Sequence, residues 1–516
     1  MQEHTSRQKS RSTRKPRGTR SPDSTRRPRP AKESRIEKKS SSSTERAQGI
    51  SDLPPLRDPH HQADVFRGRY GLEGNGNQVL RFYGDQWWTY DGRRYTLLPP
   101  GELRARVTLS IQRSFESSKA SASDDKGKPR RRPGVTRSLV SDTIQALGSL
   151  QLVPGSVEQP AWLGAKAARP RAGYIAMENG LVDVEAVVAG KVNVVRPHSA
   201  DWFSPTCLTY AYDPAATCPM WLTFLGNALE DDVDRIALIQ EWFGYCLTHD
   251  TALQKFLVIV GEGADGKTVL VLVLIGLLGT ENVSHVPLEL FGQRFQLTTT
   301  LGKLANAVTE IGDLDRAAEG LLKAFVSGDP MFFDRKNLPG VNARPTARLL
   351  FTTNNLPQLR DRSSGIWRRM ILMPFRVSVP EHRQDKDLAQ RLESELPGIF
   401  NWAIEGLKRL RQRGRFTEAA ICREALDSYR TESNPARAFL EEYVAAAPGH
   451  HIHCKELRSI YRGWCEDRGY KPLNDAQFGR ELNRAFRGVD RKKVPLPADP
   501  GTPAHREWAY VGVRLA

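Results

Sequence analysis

Lys255-Phe256-Leu257-Val258-Ile259-Val260 runs without a break into Gly261-Glu262-Gly263-Ala264-Asp265-Gly266-Lys267-Thr268, and an apolar stretch over 269–278 follows. A continuous apolar run of this length predicts a buried parallel strand. The glycines let consecutive backbone N–H groups converge on a phosphate without Cβ clashes. The helix expected after them adds the positive end of its dipole. The string has the form GxxxxGK[ST] in a strand–loop–helix setting, which predicts a loop for a nucleoside triphosphate. In such a loop Lys267 reaches the β- and γ-phosphates and the Thr268 hydroxyl ligates Mg²⁺. A plain glycine-rich turn is the alternative. The loop alone does not choose among kinases, GTPases, transporters and motors.

The segments downstream narrow that choice. Leu304-Ala305-Asn306-Ala307-Val308 is a second buried-strand pattern, ending in Thr309-Glu310. An acid at a strand tip beside a phosphate loop can polarise water or hold Mg²⁺ through its ligands. Glu310 is that candidate, with Asp313 a weaker second. A third strand is expected over 347–353, followed by Asn354-Asn355-Leu356-Pro357. The Asn354 amide can hydrogen-bond both a γ-phosphate and a water, or simply form a turn before proline. Gly365-Ile366-Trp367-Arg368-Arg369 precedes a further apolar strand. Arg368 or Arg369 could stabilise γ-phosphate charge across a subunit boundary, or make a surface ion pair. Residues 323–337 carry the turn signal Gly328-Asp329-Pro330, then Arg335 and Lys336 in a segment able to form a hairpin. A cation on such a hairpin can grip a DNA backbone.

Composition bounds the rest. The chain has 516 residues, 39% hydrophobic and 26% charged, room for about three domains. Its longest apolar run, 269–279, is shorter than the ~18 residues that a membrane span needs. The first twenty residues are polar and basic, which argues against a secretory signal. The expectation is a cytoplasmic protein with no membrane partner. Lysine and arginine (76) exceed aspartate and glutamate (59) by 17, which implies an anionic partner such as DNA or RNA. Residues 1–50 hold 15 basic and 5 acidic side chains, so the tail alone could set the balance. The six cysteines form no CxxC pair, which fits a reducing compartment. His451-Ile452-His453-Cys454 is a weak metal-chelating string, otherwise a strand or loop edge.

The tail over 1–60 lacks the apolar residues needed to offset ordering entropy and should be disordered. Aromatics alternate with turn residues over 61–115, predicting a small β-rich unit with a hairpin at Asp91-Gly92. Residues 116–138 read as a disordered linker, and 139–220 as a mixed α/β region. Trp221, Leu225, Leu238, Ile239, Trp242 and Phe243 recur at helical spacing, the pattern of helix core.

In this order the motifs resemble the superfamily-3 helicase core of primase–helicases from satellite phages, plasmids and poxviruses. The likeness covers about 173–415. It takes in Asn179-Gly180, Pro219-Met220-Trp221, Gln240-Glu241-Trp242-Phe243-Gly244 and Pro397-Gly398-Ile399-Phe400-Asn401-Trp402-Ala403. The resemblance implies an α/β fold: an AAA+-like P-loop ATPase core over 221–415 with a central parallel sheet, after a helical or mixed region and before a winged-helix domain over 434–516. It implies a homohexameric ring that uses ATP and Mg²⁺ to move 3′ to 5′ on single-stranded or forked duplex DNA, with other replication proteins as possible partners. By position it makes Lys267 and Thr268 the Walker A residues, Glu310 the Walker B acid and Asn354 the sensor. Arg368 or Arg369 becomes the arginine finger, and Lys336 the DNA-tracking hairpin residue. Many relatives end Walker B with two acids, whereas Thr309 precedes Glu310 here, so Glu310 serves metal or water.

Past the core, short helices are expected over 436–444, 457–465 and 475–486, the last capped by Asn474 or Asp475. On the third, Phe478, Leu482 and Phe486 make one face. Arg480, Arg484, Arg487 and Arg491 make another, able to face phosphates. A solvated basic face is the alternative. Residues 494–513 could supply a wing of strands. Two other readings stay open: a bifunctional primase–helicase, although no DxD-type metal pair lies upstream, and an origin-binding initiator that uses ATP only to assemble.

Overall fold

The computed structural model describes residues 56–72, 76–117, 134–166, 173–312, 316–357, 359, 364–495 and 506–516. The basic tail up to residue 55, most of the expected linker, and Asp313 lie outside the described residues.

The N-terminal part differs from the β-rich expectation. α1 (Pro59–Phe66) precedes an antiparallel sheet of β1 (Leu80–Tyr83), β2 (Gln86–Tyr90) and β3 (Tyr95–Leu98). α2 (Pro100–Ser117) and α3 (Arg137–Leu150) complete this part. Leu103, Val107, Ile111 and Phe115, four residues apart, are all buried. That spacing makes one face of a helix, and it was overshadowed by the aromatics before it. The hairpin is present: the Asp91 carboxylate accepts the Arg93 and Arg94 N–H groups at 2.8 Å each. Gly92 supplies φ +103°, a conformation open to glycine. Trp87 and Tyr95 are core residues.

A short mixed region follows. β4 (Ala161–Trp162) pairs with β8 (Trp202–Phe203), while β5 (Tyr174–Met177), β6 (Gly180–Asp183) and β7 (Val195–Arg196) form an antiparallel trio with α4 (Val184–Val188). Gly180 makes this trio possible, since a Cβ there would stand 2.4 Å from the Arg196 carbonyl oxygen.

The centre is a five-stranded parallel sheet. Its members are β9 (Phe256–Val260), β10 (Val283–Ser284), β11 (Ala305–Val308), β14 (Arg348–Thr353) and β15 (Met370–Pro374), in the spatial order β10-β11-β14-β9-β15. β12 (Met331–Phe333) and β13 (Val341–Ala343) form a separate two-stranded hairpin. All six residues of β14 are buried, as expected of a strand covered on both faces. α5 (Pro219–Ala228), α6 (Val233–Cys246), α7 (Lys267–Leu278) and α8 (Arg316–Ser327) flank the sheet. α9 (Ser364–Trp367), α10 (Leu388–Leu392), α11 (Leu396–Arg413) and α12 (Ala420–Ser433) follow.

The Gln240-Glu241-Trp242-Phe243-Gly244 segment on α6 serves packing. A Cβ at Gly244 would stand 2.3 Å from the Ala403 carbonyl oxygen, and one at Gly406 2.3 Å from that of Gln240. α6 and α11 therefore touch backbone to backbone only because both positions lack side chains. Glu241, fully buried, accepts Arg409 Nε and the Thr417 N–H at 2.7 Å each. A buried carboxylate needs such partners to offset its desolvation.

The C-terminal part has α13 (Pro435–Tyr443), β16 (Val444–His453), α14 (Cys454–Asp467), α15 (Asp475–Ala485), β17 (Asp490–Pro495) and β18 (Arg506–Leu515), with strand order β16-β18-β17. Asn474 caps α15 in a capping box with Gln477. α15 ends at Ala485, so the expected basic stripe is cut. Arg480 and Arg484 are on the helix, whereas Arg487 lies beyond it and Arg491 belongs to β17. His451 and His453 sit on β16. Among the described residues no group of three or more His, Cys, Asp and Glu could hold a metal. No helix among them is long and apolar enough to cross a membrane.

Candidate functional site

The parallel register decides what meets what. Val308 pairs with Phe351, and Phe351 with Val258. Two residues further on, Glu310, Thr353 and Val260 therefore leave the sheet at the same level. Asn354 and Gly261 follow at once. β14, which runs on into Asn354, lies between β9, which feeds the glycine-rich loop, and β11, which runs on toward Glu310. At the usual strand spacing Glu310 stands roughly 10 Å from the β9 line, across the mouth of the loop. The Thr352 hydroxyl donates to the Thr309 carbonyl at 3.0 Å and fastens the acidic tip to its neighbour. Glu310 and Asn354 are both exposed.

The loop itself is tightly built. Gly263 (φ +110°), Ala264 (φ +52°) and Gly266 (φ +89°) all adopt left-handed backbone, the means by which successive N–H groups turn toward one point. Gly266 caps α7, and Lys267 is its first residue. The Ala264 carbonyl accepts the Val379 N–H at 2.7 Å, tying the loop to the segment after β15. The Phe224 ring on α5 lies 3.0 Å from where a Cβ on Gly266 would stand, so the loop is backed by α5.

Asp265 has a part that the sequence reading missed. Its side chain is 5% exposed and turns into the loop. One oxygen accepts the Lys267 N–H at 3.2 Å; the other accepts the Gly263 N–H at 3.3 Å and an ion pair from Lys267 Nζ. Lys267 Nζ also donates to the Gly261 carbonyl at 2.8 Å. The donors that converge here thus hold an anion already, one belonging to the chain. That fits a phosphate site chemically, because a carboxylate and a phosphate oxygen ask for the same N–H donors. An acid two residues before the lysine of a glycine-rich loop was the available signal. The Thr268 hydroxyl group and the Glu310 carboxylate supply oxygen donors of the kind that Mg²⁺ takes.

The arginines are elsewhere. Arg368 and Arg369 precede β15, whose first residue pairs with Phe256 and whose last pairs with Val260. They stand at the amino edge of the sheet, about 16 Å of strand from the loop. Arg369 is committed locally, donating to Ser327 Oγ at 2.7 Å and to the Gly365 carbonyl at 2.7 Å. Burial, and then the neighbouring Arg368, hold its guanidinium below the ordinary value. Arg368 is exposed. On the β12–β13 side, Arg335 donates to the Pro339 carbonyl at 2.7 Å and to the Gly84 carbonyl of the β1–β2 turn at 3.0 Å. It braces the hairpin against the N-terminal part, and the exposed cation of the pair is Lys336. Arg484 pairs with Glu481 at 2.7 Å, while Arg480 and Arg487 are exposed.

Residues 259–369 match a family of unknown function, DUF5906. The chain is 21% identical over 305 residues to the putative helicase L207/L206 of Acanthamoeba polyphaga mimivirus. That match covers 52% of this chain and 30% of the viral protein, so the chain spans less than a third of that relative. The fold is similar to the A form apo structure of the NrS-1 C-terminal region, with a TM-score of 0.50 and 13% identity over 88% of this chain and 100% of that one. At that identity the likeness concerns the fold alone.

Proposed function

We propose that the protein is an ATP-dependent DNA helicase of the superfamily-3 type, serving replication of a phage, plasmid or integrated element. The observation that carries this reading is the gathering of the Gly261–Thr268 loop, Glu310 and Asn354 at one edge of one parallel sheet. The similarity to a viral protein described as a putative helicase supports it. In this reading the loop is a P-loop that binds ATP, Lys267 neutralises the β- and γ-phosphates, and Asn354 senses the γ-phosphate. Mg²⁺, when bound at Thr268 and Glu310, would neutralise charge developing between the β- and γ-oxygens. The amino-edge position of Arg368 suits a finger acting on a neighbouring subunit's nucleotide in a homohexamer. Lys336 would follow the backbone of a single strand, and the C-terminal part, read as a winged helix, would add contacts through Arg480, Arg484 and Arg487.

Nucleotide entry is then an exchange in which the Asp265 carboxylate gives up Lys267 and the N–H donors. Asp265→Asn keeps the shape, frees Lys267 and removes a negative charge beside the triphosphate. Titration calorimetry should find ATP bound about tenfold more tightly, or better. Weaker binding would instead make Asp265 a contributor to the bound state.

The reading is tested on forked DNA with a labelled strand. Displacement that needs hydrolysable ATP and fails with a non-hydrolysable analogue is the expected result. Fork binding without displacement would reject the motor.

A further inference from the structure

Far along the chain from the glycine-rich loop, the β17–β18 hairpin carries a second cationic surface. Its two strands hold five basic residues against two acidic ones. The register sets Lys493 opposite Trp508 and Arg491 opposite Tyr510. Side chains alternate across a strand, so Arg491, Lys493, Trp508 and Arg506 share one face. The Arg491 guanidinium lies 5.0 Å from the Trp508 ring centroid, and Lys493 Nζ 5.7 Å. The same face abuts α15: the Tyr510 hydroxyl is 3.1 Å from where a Cβ on Gly479 would stand, one residue from Arg480.

Trp508 and Tyr443, the latter 39% exposed, are the exposed large aromatic residues described in this part. Phe439, Tyr461, Trp464, Phe478 and Tyr510 are buried together, whereas Trp508 is 46% exposed. An exposed indole flanked by cations presents a stacking surface and positive charge side by side. Nucleic acid answers both: phosphates for the cations and a base for the ring. In a duplex the bases are already stacked on one another, so only an unpaired base can give its face to Trp508.

We propose that this face binds single-stranded DNA, with Trp508 stacking on an unpaired base and Arg491, Lys493 and Arg506 holding the flanking phosphates. The surface rests on the DNA-binding part of the function proposed above and is independent of the chemistry at Lys267. It adds a contact to the α15 arginines and gives the C-terminal part a preference for the separated strand.

Fluorescence anisotropy of the full chain with a labelled oligothymidylate tests this, using the same oligonucleotide with abasic sites as a second probe. Trp508→Ala should weaken binding of the intact strand about tenfold and bind the abasic strand no differently from the wild type. Trp508→Phe should retain most of the affinity, which separates loss of stacking from loss of fold. Lys493→Glu should lower the slope of log affinity against log salt by about one or more. Lys492→Ala, on the opposite face and paired with Asp490 at 2.8 Å, should change the slope less. Wild-type binding that Trp508→Ala and Lys493→Glu both leave intact overturns this surface while the DNA reading stands. Equal wild-type affinity for intact and abasic strands overturns the stacking. Failure of the wild type to bind any oligonucleotide overturns the surface and the DNA reading together.

Discussion

Replacing Lys267 by alanine is expected to lower ATP hydrolysis by about 10²–10³-fold or more, with or without DNA. Lys267 is 6% exposed, and its ammonium is held inside the loop by Gly261 and Asp265. A cation so placed is already desolvated and oriented. Once nucleotide entry has taken it from Asp265, it would meet the developing phosphate charge already in place, so its removal should reach the rate as well as binding. The alanine variant also leaves Asp265 as an anion facing the place where phosphate would sit in the proposed reading, so nucleotide affinity should fall in parallel. Phosphate release measured by a coupled assay reads the rate, and a melting curve excludes unfolding. Turnover retained within tenfold would refute the assignment of this loop.

Glu310→Gln should separate binding from chemistry. Glu310 leaves the sheet level with Val260 but two strands away, so in the proposed reading it would face the terminal phosphate across the mouth of the loop. If Glu310 polarises the attacking water, its loss should cost about 10²–10⁴-fold in hydrolysis. ATP affinity should stay nearly unchanged. The amide is isosteric and remains a hydrogen-bonding partner for water, but it no longer takes up a proton. If Glu310 serves the metal instead, the variant will need more Mg²⁺ for half-maximal nucleotide binding, and excess Mg²⁺ will restore part of the rate. Calorimetry across a Mg²⁺ series beside single-turnover hydrolysis separates the two roles. Unchanged hydrolysis at saturating ATP would remove Glu310 from the site.

The sequence by itself determined the local parts. A run of β-branched and aromatic residues followed by three glycines within six positions specifies strand, turn and helix, because these depend on neighbours only a few residues apart. The strands leading to Glu310 and Asn354, the Asn474 cap and the Asp91-Gly92 hairpin were legible for the same reason. Tertiary structure alone decided the rest. Which strands adjoin, and at what level their tips emerge, follows from pairings between residues nearly a hundred positions apart, such as Phe351 with Val258. The same long-range pairing sent Arg368 and Arg369 to the far edge of the sheet. It also spent Arg335 on the Gly84 carbonyl. The inward turn of Asp265 and the exposed seat of Trp508 depend on what packs around each side chain. A string of residues does not encode its surroundings until the chain has closed on itself.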